Sequence, residues 1–353
     1  MVSLLDFLRS KLLKYTMRFS FFRSLLLARA YRLKMLALIA LFLYFFASLF
    51  LPLWVLLVGP ILWGAPHLIA SLRYASAINL NLFQKKKLFY FQGFIWLCVF
   101  SYRLAVDIGG LQLFLSQTPL LFESICLSLT FLFQLYLFRQ LTLRIFIYTM
   151  LFAGLLYSTA YFPMQTALFL LIGHNYVPLY AWYKSCQDND DLRTFIFVSA
   201  VYIMLSMIIL FGWADAFYHL IPAQKSIAFL NWDYTEVINS YNLNANWFRV
   251  VSLYAFSQGI HYFLWLKAIP ENHLPKQYPP SFKWSLHRLT SEFGSGSIYF
   301  MLSLILIGAS YWFFFEFQTS RVIYFSVAAY HGFMEIAALP FLKSNRSVHE
   351  SIR

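Results

Sequence analysis

Residues 322–342 read Val322-Ile323-Tyr324-Phe325-Ser326-Val327-Ala328-Ala329-Tyr330-His331-Gly332-Phe333-Met334-Glu335-Ile336-Ala337-Ala338-Leu339-Pro340-Phe341-Leu342, a near-continuous apolar run holding one histidine and one carboxylate. A run of this kind matches the roughly 20 residues that a helix needs to cross a bilayer. On a helix, His331 and Glu335 stand one turn apart on one face. An ionisable pair at such depth is expensive to keep and marks a working site by default.

Working outward, three other apolar runs each carry one such histidine: His67, His174 and His261. The same composition extends over the chain. Hydrophobic residues make up 61% of the 353 positions and charged residues 12%, against roughly 45–50% and roughly 25% in soluble domains. The fold class is therefore all-α, a polytopic transmembrane bundle with no soluble catalytic module. Ten spans are expected, over residues 35–58, 61–78, 88–106, 120–138, 143–162, 164–183, 193–213, 247–269, 297–317 and 321–342.

The charge distribution orients these spans. Lys85, Lys86, Lys87, Arg139, Arg144, Lys184, Arg193, Lys276, Lys283, Arg288, Lys343, Arg346 and Arg353 fall in alternate connections. The others hold mostly acids: Asp107, Asp215, Asp233 and Glu236, with Lys225. By the positive-inside bias, both termini face the cytoplasm. The protein is expected in a membrane, the inner one if the cell is bacterial. The net charge of +13 serves topology, and no nucleic-acid partner is expected.

Residues 1–34 carry eight Lys or Arg against one acid, Asp6, interleaved with Leu and Phe. They read as a basic amphipathic segment lying on anionic membrane lipids. The transmembrane domain follows over 35–343, with a cytoplasmic tail at 344–353. The three cysteines, Cys98, Cys126 and Cys186, imply neither a disulfide framework nor a thiolate metal motif. His219, His273, His287 and His349 read as surface histidines, and the asparagines at 239, 242, 244 and 246 as an outer loop.

The four apolar-run histidines all fall on spans that run from outside to inside. At about 1.5 Å per residue, His67 lies about 9 Å below the outer edge, His174 and His331 about 15 Å, and His261 about 20 Å. These depths suit one shared metal site. In Trp63-Gly64-Ala65-Pro66-His67, Pro66 removes a backbone donor and opens a neighbouring carbonyl, while the small residues permit close helix contact. Asn175 follows His174. Ser257 and Gln258 precede His261 by four and three residues and suit the task of fixing its tautomer. Tyr74 completes this outer set. Glu335 is a further ligand or a general base.

Imidazole with at most one carboxylate and no thiolate suits iron, zinc or copper; a haem with axial histidines is the alternative. A haem-bearing electron-transfer protein, and a proton-coupled transporter or lipid-handling scaffold, are the rival functions.

The motifs also resemble the Brp/Blh family of membrane-embedded β-carotene-cleaving dioxygenases. The matching islands are Pro66-His67, Ile172-Gly173-His174, His261 with Tyr262, Phe263, Trp265 and Lys267, and His331 with Glu335. The sequence departs where that family carries an earlier histidine in its third motif, here Ser257, an acid after its first histidine, here Ser71, and a proline before its last, here Tyr330. The resemblance implies a non-haem Fe(II) centre held by His67, His174, His261 and His331, open to O2, acting on a lipophilic substrate of the carotenoid kind taken from the bilayer. Aromatic residues, 21% of the chain, would line a slot for a flat polyene.

Overall fold

The computed structural model describes residues 2–20, 23, 28–64, 66–67, 70, 82–107, 119–138, 143–186, 188–218, 245–272 and 331–339, with 283, 287 and 290. The described residues form helices and turns and no strand. Tyr74, the span over 297–317, the first half of 321–342, His219, His273 and His349 lie outside them, as does most of the asparagine-rich loop. His287 is exposed.

The elements are α1 (Val2–Thr16), α2 (Arg29–Phe50), α3 (Pro52–Gly59), α4 (Leu82–Asp107), α5 (Pro119–Phe138), α6 (Leu143–Tyr161), α7 (Pro163–Gly173), α8 (Val177–Ser185), α9 (Asn189–Leu210) and α10 (Ala245–Phe263), followed by a helical segment over 331–339. Prolines set several starts. Pro52, Pro119, Pro163 and Pro178 each stand in a first turn, where the missing N–H would have no partner anyway. At α9 the Asp188 carboxylate accepts from the Asp191 N–H at 2.8 Å, a side-chain cap.

Among the described residues, three helices are long and apolar enough to cross a membrane: Arg29–Phe50, Leu120–Leu137 and Asn189–Leu210. Their outward faces stay apolar, with Ile39, Leu43, Leu132 and Met204 exposed. Helix α1 presents Leu4, Phe7, Leu8, Leu12 and Tyr15 to the outside at helical spacing, and is not part of either core.

Two cores form. Helices α2, α8, α9 and α10 share one, centred on Leu41, Trp182, Tyr202, Phe256 and Ile260. Helices α4 to α7 and the segment 331–339 share the other, with Leu127, Phe131, Phe152, Phe333 and Ala337. The histidines stand where these cores meet: His261 between Ile260 and Leu264 of the first, His331 beside Phe333 of the second.

One end of the first core is closed by buried charge. Helix α2 starts at Arg29, six residues before the expected span, and Arg29 and Arg32 turn inward where the sequence suggested a membrane-surface segment. Arg29 pairs with Asp191, and Arg32 with Glu271. Lys267 donates to the second Glu271 oxygen at 2.8 Å. Burial alone would raise the Glu271 carboxyl, but Lys267 and Arg32 outweigh it and hold it below the usual carboxylate range. A carboxyl depressed by folding contributes stability above its unfolded pKa, about 4.3, and loses it as pH falls through the folded value. Glu271→Gln should therefore lower the melting temperature in detergent at pH 7. The gap to wild type should narrow below pH 4, and a constant gap at all pH values would contradict this assignment.

Candidate metal centre

Irregular backbone places two of the histidines. A π-helical turn over Pro60–Gly64 leads to His67, and another over Leu264–Ala268 follows His261. Such bulges free carbonyls from the helical ladder and recur at functional sites. His67 donates from Nδ1 to the Gly64 carbonyl at 2.9 Å. A carbonyl only accepts, so the proton sits on Nδ1 and the Nε2 lone pair faces the interior.

His174 is built the same way. It opens the 3-10 turn His174–Tyr176 between α7 and α8, a local irregularity inside the expected span over 164–183, along which the backbone stays helical. Its Nδ1 donates to the Leu170 carbonyl at 3.0 Å. Its ring lies against Gly332, where a Cβ would come within 3.3 Å of the His174 Cδ2; the glycine lets the two elements close up.

Three imidazoles and one carboxylate converge. His261 Nε2 stands 3.0 Å from His67 Nε2. Glu335 Oε1 is 3.7 Å from His67 Nε2 and 4.0 Å from His331 Nε2, and Glu335 Oε2 is 3.8 Å from His261 Nε2. One ligand atom from each of His67, His261, His331 and Glu335 lies within 4.8 Å of all the others. His67 and His261 are 1% exposed, Glu335 3% and His331 8%, so water does not screen the group.

The spacings are close to those around an ion. Two ligand atoms about 2.1 Å from one metal lie about 3.0 Å apart at a right angle and about 4.2 Å apart when opposite. The distances from Glu335 to the three nitrogens exceed hydrogen-bond length but fall inside that range. The Nε2–Nε2 approach has two explanations, since His67 offers a lone pair there: His261 donates a proton across the gap, or both nitrogens face one cation. The group could hold a metal ion, and its donor set gives a site for imidazole-seeking metals.

His174 stands just outside this group. Its ring centroid is 5.2 Å from that of His261 and 6.1 Å from that of His331. Of the expected ligands, His67, His261 and His331 come together with Glu335, and His174 flanks them.

The outer residues act indirectly. Asn175 donates from Nδ2 to Ser257 Oγ at 3.0 Å, and Ser257 donates to the Tyr254 carbonyl at 3.0 Å. Gln258 donates from Nε2 to the Tyr262 hydroxyl at 3.0 Å, and the Tyr262 ring packs on His67 with centroids 5.0 Å apart. The side chains of Ser257 and Gln258 thus bond Tyr254 and Tyr262, and Asn175 braces Ser257 one turn before His261. Tyr262 and Gly332 are site residues that sequence reasoning missed. The Gln258–Tyr262 spacing of one helical turn was the available signal for the first.

Comparison with models of protein families, with curated proteins and with solved structures finds no match.

Proposed function

We propose that the protein is a multi-pass membrane enzyme that binds one non-haem iron at the His67, His261, His331 and Glu335 cluster and oxidises a lipophilic substrate with dioxygen. The observation that carries this reading is the convergence of three Nε2 atoms and one carboxylate inside 4.8 Å, in a buried position. Imidazole and carboxylate with open positions is a donor set that suits ferrous iron. A haem fits poorly: axial nitrogens at about 2.0–2.1 Å on opposite faces stand ~4 Å apart with a macrocycle between them, whereas His67 and His261 approach to 3.0 Å.

Bound iron would supply the one-electron chemistry that activates dioxygen. The chain's residues do the rest. Gly64 and Leu170 fix the tautomers of His67 and His174. Glu335 balances the charge, and His174, whose ring flanks those of His261 and His331, serves as a fourth histidine ligand or receives a proton at Nε2. Three membrane-length helices and the exposed apolar faces support a bilayer setting. Within it, we read ten spans, cytoplasmic termini and α1 lying on anionic lipid. Access from the bilayer favours a lipophilic substrate, and the motif resemblance favours a polyene such as a carotenoid.

A second reading takes the 3.0 Å contact between His67 and His261 as a hydrogen bond in a proton relay, as a transporter would use. One experiment separates the two. Protein loaded with ferrous ion in lipid vesicles is given a carotenoid and oxygen. Oxygen uptake with bleaching of the polyene, lost in Glu335→Gln, is expected. No uptake, together with a pH-driven flux that Glu335→Gln abolishes, would replace the enzyme with the transporter.

A further inference from the structure

Helices α4 and α5 run antiparallel, and their register can be read from aromatic pairs. Tyr102 stacks on Phe122 with ring centroids 4.4 Å apart. Phe91 stacks on Phe133 at 4.0 Å. Next to the first pair, Arg103 bonds Glu123. Each step back along α4 is matched by one step forward along α5.

Cys98 stands one turn before Tyr102, and Cys126 one turn after Phe122. Seven residues further, in opposite directions, lie Phe91 and Phe133. Steps of four and seven residues keep to one helix face, so the three pairs form rungs on one flank of the helix contact. The cysteines are the small rung between two aromatic ones, where helices approach closely. Both are free thiols, Cys98 half-buried and Cys126 buried, and they lie within electrostatic range of each other. Cys186 follows α8, and its Sγ donates at 3.4 Å to the carbonyl of Trp182, a residue of the other core.

We infer that Cys98 and Cys126 form an oxidisable dithiol that staples α4 to α5 when a bilayer-soluble quinone withdraws two electrons. Two S–H bonds break and one S–S bond forms. Two protons and two electrons pass to the quinone, which departs as the hydroquinone. The half-buried Cys98 thiol meets the oxidant first, and Cys126 completes the bond. Helices α4 and α5 contribute Val99, Leu127 and Phe131 to the core that backs the segment carrying His331 and Glu335. The staple therefore stiffens the wall behind the candidate metal centre, and it does not depend on what that centre binds.

The test uses the full chain in membranes, treated with a short-chain benzoquinone, then denatured, alkylated, digested and analysed by mass spectrometry. The expected result is an intrachain peptide pair joining Cys98 to Cys126 in most chains, reversed by dithiothreitol, with Cys186 alkylated throughout. Cys98→Ser should leave Cys126 alkylated. The inference is overturned if both thiols remain alkylatable, if Cys98 carries a quinone adduct, or if it joins a second chain. A parallel oxidation of wild type with copper-phenanthroline locates the failure. Linking by copper alone rejects the quinone coupling, and linking by neither reagent rejects the opposed register.

Discussion

His261→Ala and His67→Ala should each purify with less than a tenth of the wild-type metal while keeping the helical circular dichroism of the folded chain. Both nitrogens belong to the group whose ligand atoms lie within 4.8 Å of one another. Removing either one leaves the other three without the 3.0 Å edge that sets the spacing. Loss of a residue that only orients a ligand costs metal affinity about 10–100-fold, so loss of a ligand should exceed it. Asn175→Ala supplies the comparison, since that side chain meets Ser257 and only steadies the segment around His261. A graded order, with Asn175→Ala between wild type and the histidine variants, is expected from metal titrations. Equal metal in wild type and both histidine variants would show that the cluster is not the site.

The second large effect concerns the contact that holds α10 in place. Gly259 sits two residues before His261, where a Cβ would run into the ring of Tyr44 on α2, including its Cγ. An aromatic ring buttressed at its root cannot swing away as a flexible chain end would. Gly259→Ala should destabilise the protein by about 1–3 kcal/mol, the usual cost of overpacking, and lower the melting temperature measured in detergent. The same substitution in a Tyr44→Ala background should cost much less, because contacting residues couple. An unchanged melting temperature for Gly259→Ala alone would mean that α2 and α10 do not approach as closely as described.

How much of this was legible in the sequence depends on the physics of each feature. His67, His261, His331 and Glu335 stood out because an ionisable side chain in an apolar run needs a reason to be there. Helical spacing alone put His331 and Glu335 on one face. The all-α class followed from composition and run length. The place of His174 beside the group was not legible, since depth estimated from span boundaries is too coarse to separate neighbouring rings. Arg29 and Arg32 read as membrane-surface charges because their partners, Asp191 and Glu271, lie 162 and 239 residues away. No local pattern announces pairs of that separation. The π-helical turns were half legible: Pro66 signalled a freed carbonyl, but Gly64 as the acceptor from His67 required the fold.

The most direct measurement is the metal content and optical spectrum of the wild-type protein purified from membranes without chelator. About one iron per chain with no haem band is the expected result. A haem spectrum, or no metal after preparation in the presence of ferrous ion, would contradict a non-haem iron centre held by the histidine and glutamate cluster.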